Sequence, residues 1–179
     1  DVLSDDEFIA TCVLLVFAGH ETTTNLIGNG LLTLMRHPEK MNQLRRHPEL
    51  TESAIEELLR YDGPAAALVR IARERIELHG ETIEPGDRIF AMLNAANRDP
   101  RVFEDPDGID LGRKENRHLA FGHGIHFCLG APLARLEGRF AIEAILRRFR
   151  SLTLLDAAPP WSDSLVLRGV KSLRVSFAR

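Results

Sequence analysis

The stretch Ser4-Asp-Asp-Glu7 opens a helix, and no stop signal follows until His37-Pro38. Ser4 is placed as the N-cap, and Glu7 three residues on completes a capping box. Asp5 and Asp6 put negative charge where the helix dipole is positive. An apolar period then runs to about Met35, and the residue before Pro38 is biased away from the helical region. Such a helix measures about 45 Å at 1.5 Å per residue. Its centre differs from the rest. Ala18-Gly-His-Glu-Thr-Thr-Thr24 places a glycine and three β-branched residues where propensity favours Ala or Leu. This predicts local distortion, and the low side-chain bulk would let something flat lie against the helix.

Downstream signals divide the chain into shorter pieces. Pro38 and Pro48 suit the first turns of helices over Pro38–Arg46 and Pro48–Tyr61, the second ending at Gly63-Pro64. Leu68-Val-Arg-Ile-Ala72 alternates like a strand, and Arg75 to Leu93 reads as a hairpin with turns at His79-Gly80 and Pro85-Gly86. No period persists from Asn94 to Phe127, and so long a stretch inside a compact domain is usually functional. Helix resumes around Cys128, with Pro132 in its first turns, and runs to about Phe149; Leu129, Leu133, Leu136, Phe140 and Ile145 form its expected buried stripe. Short strands over Leu152–Leu155, Leu165–Leu167 and Leu173–Phe177 finish the chain. The expected fold is mainly α with small β-sheets.

A net charge of −3 supplies no basic field for nucleic acid. Arg139, Arg147, Arg148 and Arg150 crowd the end of one helix, as a solvated face or a docking patch. The longest apolar run, Cys12 to Ala18, is too short to span a bilayer, so no membrane association is expected. Two cysteines, Cys12 and Cys128, argue against a disulfide framework and suit a reducing cytoplasm. The chain starts at Asp1, close to a helix start, which suggests a piece of something longer.

The densest chemistry lies in His118-Leu-Ala-Phe-Gly-His-Gly-Ile-His-Phe-Cys-Leu-Gly-Ala131, with three histidines, three glycines and one cysteine. A cysteine at a helix N-terminus favours its thiolate. Gly122, Gly124 and Gly130 let backbone N–H groups approach a sulfur. The residues alone fit a metal ligand, a nucleophile or a plain buried cysteine. A zinc site of His118, His123, His126 and Cys128 is the rival, although its ligands crowd one loop without the usual separated pairs. Glu57-Leu-Leu-Arg60 is an i,i+3 ion pair, a weak signal in isolation. Arg70 on its strand is either a solvated face residue or reaches a carboxylate or phosphate. Glu21-Thr22 in the weak centre of the long helix suggests proton delivery, unless the threonine simply bonds back to the helix.

Together these pieces resemble the cytochrome P-450 superfamily of haem-thiolate monooxygenases in its soluble bacterial form. Ala18-Gly-His-Glu-Thr22, Glu57-x-x-Arg60, Arg113-x-x-Asn116-x-His-Leu-Ala-Phe and Phe121-Gly-His-Gly-Ile-His-Phe-Cys128-Leu-Gly-Ala occur in the family's order, and Leu133-Ala-Arg-Leu-Glu137 continues the match. The resemblance implies the C-terminal half of that fold: a long distal helix, the Glu-x-x-Arg helix, a β-hairpin, a meander, and the cysteine loop with its proximal helix. Residues 1–179 would form one haem-binding unit. It implies haem b (iron protoporphyrin IX) as cofactor, with Cys128 as the iron's proximal thiolate ligand. Phe121 would shield the sulfur, Gly122 and Gly130 would permit close approach, and Ala120 and Ala134 would also line the haem. Arg70 and His126 would pair with the propionates. Ala18, Gly19 and Thr22 would face the distal side, with Thr22 and Glu21 relaying protons. Glu57, Arg60 and Arg113 would form a buried charge network locking the meander. The implied reaction puts one atom of dioxygen into a C–H or C=C bond of a small apolar organic substrate. The electrons would come from NAD(P)H through a ferredoxin-type or flavodoxin-type donor. Family members are more than twice this long, so either a companion N-terminal fragment or self-association is expected to cover the bare flank. The alternative is a non-catalytic or haem-free remnant.

Overall fold

The computed structural model describes residues 2–178. The capping box forms as the sequence implies: the Ser4 N–H donates to the Glu7 carboxylate at 2.9 Å, and the Glu7 N–H to the Ser4 hydroxyl at 3.4 Å. Helix α1 (Asp5–Arg36) then runs unbroken for 32 residues and stops before Pro38. The distortion expected at Ala18–Thr24 is not there. The Thr22 and Thr24 hydroxyls donate to the carbonyls of Ala18 and His20 at 2.7 and 2.8 Å, which accommodates these side chains within the helix.

Helix α2 (Pro38–Arg46) has the predicted limits. The helix expected over Pro48–Tyr61 is instead a 3-10 turn, Pro48–Leu50, followed by α3 (Thr51–Asp62). The tight turn is closed by the Leu50 N–H on the His47 carbonyl, and the Thr51 hydroxyl donates to the Pro48 carbonyl at 2.7 Å. Strand β1 (Ala67–Ile71) follows, then β2 (Ile76–Leu78), β3 (Glu81–Ile83) and β4 (Arg88–Met92). The single predicted hairpin is two separate pairings. His79-Gly80, with φ of 51° and 86°, joins β2 to β3, whereas β4 returns antiparallel to β1. Bonds from Ala72 N–H to Asp87 O and from Gly86 N–H to Ala72 O hold that return. After the one-turn helix α4 (Leu93–Ala96), the chain wanders in turns to helix α5 (Ala131–Arg148), and β5 (Ser151–Leu154) pairs with β6 (Val175–Ala178). The result is mainly α with three two-stranded antiparallel sheets.

The core joins the C-terminal half of α1 to α3 and α5 through Leu26, Leu34, Ile55, Leu58, Leu59 and Ile142. Each such buried aliphatic side chain contributes roughly 2 kcal/mol. The three helices approach closely at Gly138, where an added methyl would stand 3.1 Å from Leu26 Cδ2 and 3.6 Å from Ile55 Cδ1. A second contact lies four residues on, where a methyl on Gly30 would meet Leu58 and Ile142.

This contact sets the face of α5 and overturns the predicted stripe. The buried face is Ala131, Gly138, Ile142 and Leu146, while Leu129, Leu133, Leu136 and Phe140 are exposed and Ile145 is half-buried. The small residues allow backbones to meet, so they win the interior over the bulkier side chains. Phe8, Ile9, Val13, Leu14, Leu15, Val16 and Phe17 on α1 are likewise exposed. Among the described residues no helix is long and apolar enough to cross a membrane.

Candidate functional site

The meander is held by charge. Glu57 and Arg60, one turn apart on α3, are both fully buried. Arg60 donates twice to the Glu57 carboxylate at 2.8 Å, and to the carbonyls of Asn97, Pro106 and Gly108 at 3.0, 2.8 and 2.9 Å. All five guanidinium N–H groups are thereby engaged. Glu57 also accepts from the Asp110 N–H, from Arg113 Nε and from Asn116 Nδ2. Arg113 in turn donates to the carbonyls of Glu104 and Asp105. The pair that is weak in sequence is thus the centre of a network spanning residues 57 to 116. Buried Asn97 extends it, accepting the Leu119 N–H at 2.7 Å.

That network delivers the chain to the cysteine turn. Gly122 and Gly124 both have φ of +72°, a conformation that L side chains rarely adopt. A 3-10 turn, Gly124–His126, follows, and the Cys128 N–H donates to the Phe121 carbonyl at 2.9 Å to close the loop. Two sequence expectations are corrected here. Cys128 lies three residues before α5, because Gly130 is the helix N-cap and Pro132 occupies its first turn. The Gly122 N–H goes to the Leu119 carbonyl rather than to the sulfur. Cys128 is exposed, not buried, between exposed Phe127 and Leu129.

Behind the turn lies a second cluster that sequence reasoning missed. Glu56 accepts from Arg135 Nε and Nη2 at 2.7 and 2.8 Å and from His118 Nε2 at 3.1 Å. His118 Nδ1 accepts the Ala120 N–H at 3.2 Å, so the ring proton resides on Nε2. The Arg135 guanidinium lies 4.6 Å from the Phe121 ring centroid. Burial raises the Glu56 pKa, but the hydrogen bonds from His118 and Arg135 and the charge of Arg135 outweigh it and hold the carboxyl at about 2, against 4.5 ordinarily. The stability this depression contributes is fully present above pH 4.5 and is lost as pH falls toward 2. Denaturant midpoints measured across that window should fall with pH, and Glu56→Gln should flatten the fall.

The remaining site residues converge from two directions. Along both α1 and α5 the contacts run in the same order, Leu26 with Gly138 and Gly30 with Ile142. The segments preceding this crossing, Ala18–Thr22 and Cys128–Ala134, therefore lie on the same side of it. Ala18, Gly19 and Glu21 are exposed there and Thr22 is half-buried; Ala134 is half-buried, Gly130 exposed, and Ala120 buried beneath the turn. On β1, Leu68 Cδ1 would be 3.8 Å from a methyl on Gly122, and Arg70 is on the same face as Leu68. Arg70 is exposed and donates to the Val69 carbonyl. His123 and His126 are exposed on the loop, whereas His118 is turned away into the Glu56 cluster. Among the described residues, no three or more His, Cys, Asp or Glu side chains gather into a group that could hold a metal ion. An exposed thiol flanked by apolar side chains, facing a helix with small residues at its centre, fits a flat macrocycle carrying its own metal.

One thiol on a glycine turn, on the same side of the crossing as the centre of a long helix, is an arrangement that suits a haem-thiolate protein. The Cytochrome P450 family model matches residues 1–177. The biotin biosynthesis cytochrome P450 of Bacillus subtilis (strain 168) is 46% identical over 177 residues, 99% of this chain and 45% of that protein. Cytochrome P450 monooxygenase PikC of Streptomyces venezuelae is 44% identical over 181 residues, 99% of this chain and 43% of its own. The crystal structure of P450BioI in complex with hexadec-9Z-enoic acid ligated acyl carrier protein superposes with a TM-score of 0.93 at 45% identity, over 98% of this chain and 46% of that one. This chain belongs to the cytochrome P450 family, whose proteins bind haem b. It spans less than half the length of the curated relatives it matches.

Proposed function

We propose that residues 1–179 act as a single haem-binding unit of a haem-thiolate monooxygenase, with Cys128 Sγ as the proximal ligand of haem b. The observation that carries this is the exposed Cys128 turn, on the same side of the α1–α5 crossing as Ala18–Thr22. When bound, haem supplies the redox and dioxygen chemistry. The chain supplies orientation and protons. Phe121, Gly122 and Gly130 shape the approach to the sulfur, and Ala120 and Ala134 back it. Arg70 and His126 offer cationic or hydrogen-bonding groups to the propionates, supported by the Leu68–Gly122 contact that brings β1 to the loop. The substrate is a small apolar organic molecule, in keeping with the apolar side chains of α1 left bare beside the site. Electrons come from NAD(P)H through a ferredoxin-type or flavodoxin-type protein. Exposed Arg147 and Arg148 in the last turn of α5, with exposed Arg150 just beyond it, suit an acidic donor of that kind. The exposed apolar faces of α1 and α5 are covered by a companion segment or by a second copy, and two free cysteines are in keeping with a cytoplasmic setting.

A reduced, CO-treated sample of the haem-loaded protein should show the Soret band of thiolate ligation; a band of imidazole type would sink the assignment. At the distal side, the Thr22 hydroxyl donates to the Ala18 carbonyl at rest and would pass a proton on when that bond opens, with exposed Glu21 next in line. Thr22→Ala should therefore lower product formed per NAD(P)H consumed by on the order of tenfold or more. Unchanged coupling would remove Thr22 from the relay.

A further inference from the structure

The Glu56 cluster does more than join elements of the core. Its cation is anchored on two sides, by the Glu56 carboxylate and the Phe121 ring. Glu56 grips Arg135 with both carboxylate oxygens, at 2.7 and 2.8 Å, and His118 fixes Glu56 from the other flank at 3.1 Å. The guanidinium rests on the Phe121 face, 4.6 Å from its centroid, and Phe121 is the residue whose carbonyl closes the Cys128 loop. A bidentate, stacked arginine gives up little mobility per bond and holds its charge in one place. Arg135 follows Cys128 by less than two turns of chain, with α5 beginning between them at Ala131.

We propose that Glu56 is a positioning residue. By pinning the Arg135 guanidinium against the Phe121 ring it keeps a fixed positive charge beside the loop that carries Cys128, and that charge sets how readily a metal bound to the sulfur accepts an electron. The inference rests on Cys128 being a haem ligand. The Arg135 pKa is raised, chiefly by the Glu56 hydrogen bonds, so the guanidinium keeps its charge where Glu56 holds it. A cation near the sulfur stabilises the reduced, more negative state of the site. Its removal should make reduction harder.

The test is a reductive titration of the haem-loaded protein, in which ferric iron takes one electron from a chemical reductant at fixed solution potential. Arg135→Gln should lower the ferrous-to-ferric ratio about fivefold, the factor corresponding to ~1 kcal/mol of partly screened interaction. Arg135→Lys, which keeps the charge, should recover most of that ratio. If it does as badly as Arg135→Gln, packing and not charge is at work, and the proposal fails. Glu56→Ala separates positioning from simple proximity because the two give opposite signs. Deleting an anion in place would raise the ratio, whereas releasing Arg135 from Phe121 should lower it toward the Arg135→Gln value. A rise overturns the proposal. If the unsubstituted protein shows no thiolate-type CO band, the haem-thiolate assignment and this inference fall together. A normal band with an Arg135→Gln ratio unchanged overturns the inference alone.

Discussion

Replacing Cys128 by serine should abolish the thiolate-type CO band of the haem-loaded protein while leaving the fold in place. The expected loss is complete because the turn presents a single sulfur. The expected cost in stability is small because that sulfur is exposed and makes no bond within the structure that the hydroxyl would break. The loop is closed by backbone groups, Cys128 N–H to Phe121 O and Ala131 N–H to Cys128 O, which the substitution preserves. Far-ultraviolet circular dichroism should therefore coincide with that of the unsubstituted chain. Haem that still bound would take a neighbouring donor, with exposed His126 the nearest in sequence, and the CO spectrum would report imidazole. Retention of the thiolate band in Cys128→Ser would mean that the ligand is elsewhere.

Arg60→Ala should have the opposite profile, damaging the fold before the chemistry. Arg60 is fully buried, and all five of its donors are engaged, two by Glu57 and three by carbonyls of the meander. Removing one partner of a buried pair typically costs 3–5 kcal/mol, because the other charge stays behind uncompensated. Set against a domain stability of about 5–15 kcal/mol, that is a large share. Here Glu57 would keep Arg113 and Asn116, which softens the loss, but the carbonyls of Asn97, Pro106 and Gly108 would lose their donor. The urea midpoint should fall by the corresponding amount, and haem retention should fall with it. Arg60→Lys should rescue little, since one ammonium cannot replace a planar fork serving five acceptors. An unfolding free energy within about 1 kcal/mol of the unsubstituted protein would show that the network is dispensable.

Which of these features could be seen in the sequence depended on how far apart the interacting residues lie. The ends of α1 were legible because a capping box and a proline act within four residues. The split at Pro48–Leu50 was hidden, since Pro48 suits the start of either kind of turn. The β4 strand was assigned to the wrong partner because alternation reveals a strand but not its neighbour; the bonds between Ala72, Gly86 and Asp87 decide that. On α5 the bulk of Leu133, Leu136 and Phe140 suggested the interior, whereas Gly138 made the close contact. At the site, Cys128 and its glycines stood out in fourteen residues. From spacing alone Glu57 and Arg60 are a weak pair, and only the family resemblance tied them to Arg113; their strength comes from partners up to 59 residues away. Glu56, His118 and Arg135 meet across 62 and 79 residues, and no local pattern joins them.

Helix α1 carries one more consequence. Its C-terminal half is locked into the core, and its N-terminal half projects from that anchor with Phe8, Val13, Val16 and Phe17 bare. Once the packed half exists, each further residue extends the helix without a new nucleation penalty. The projecting half is therefore a pre-shaped template rather than a segment that must fold on contact. Whatever covers it meets an apolar helix already formed, and forfeits little conformational entropy on the side of this chain.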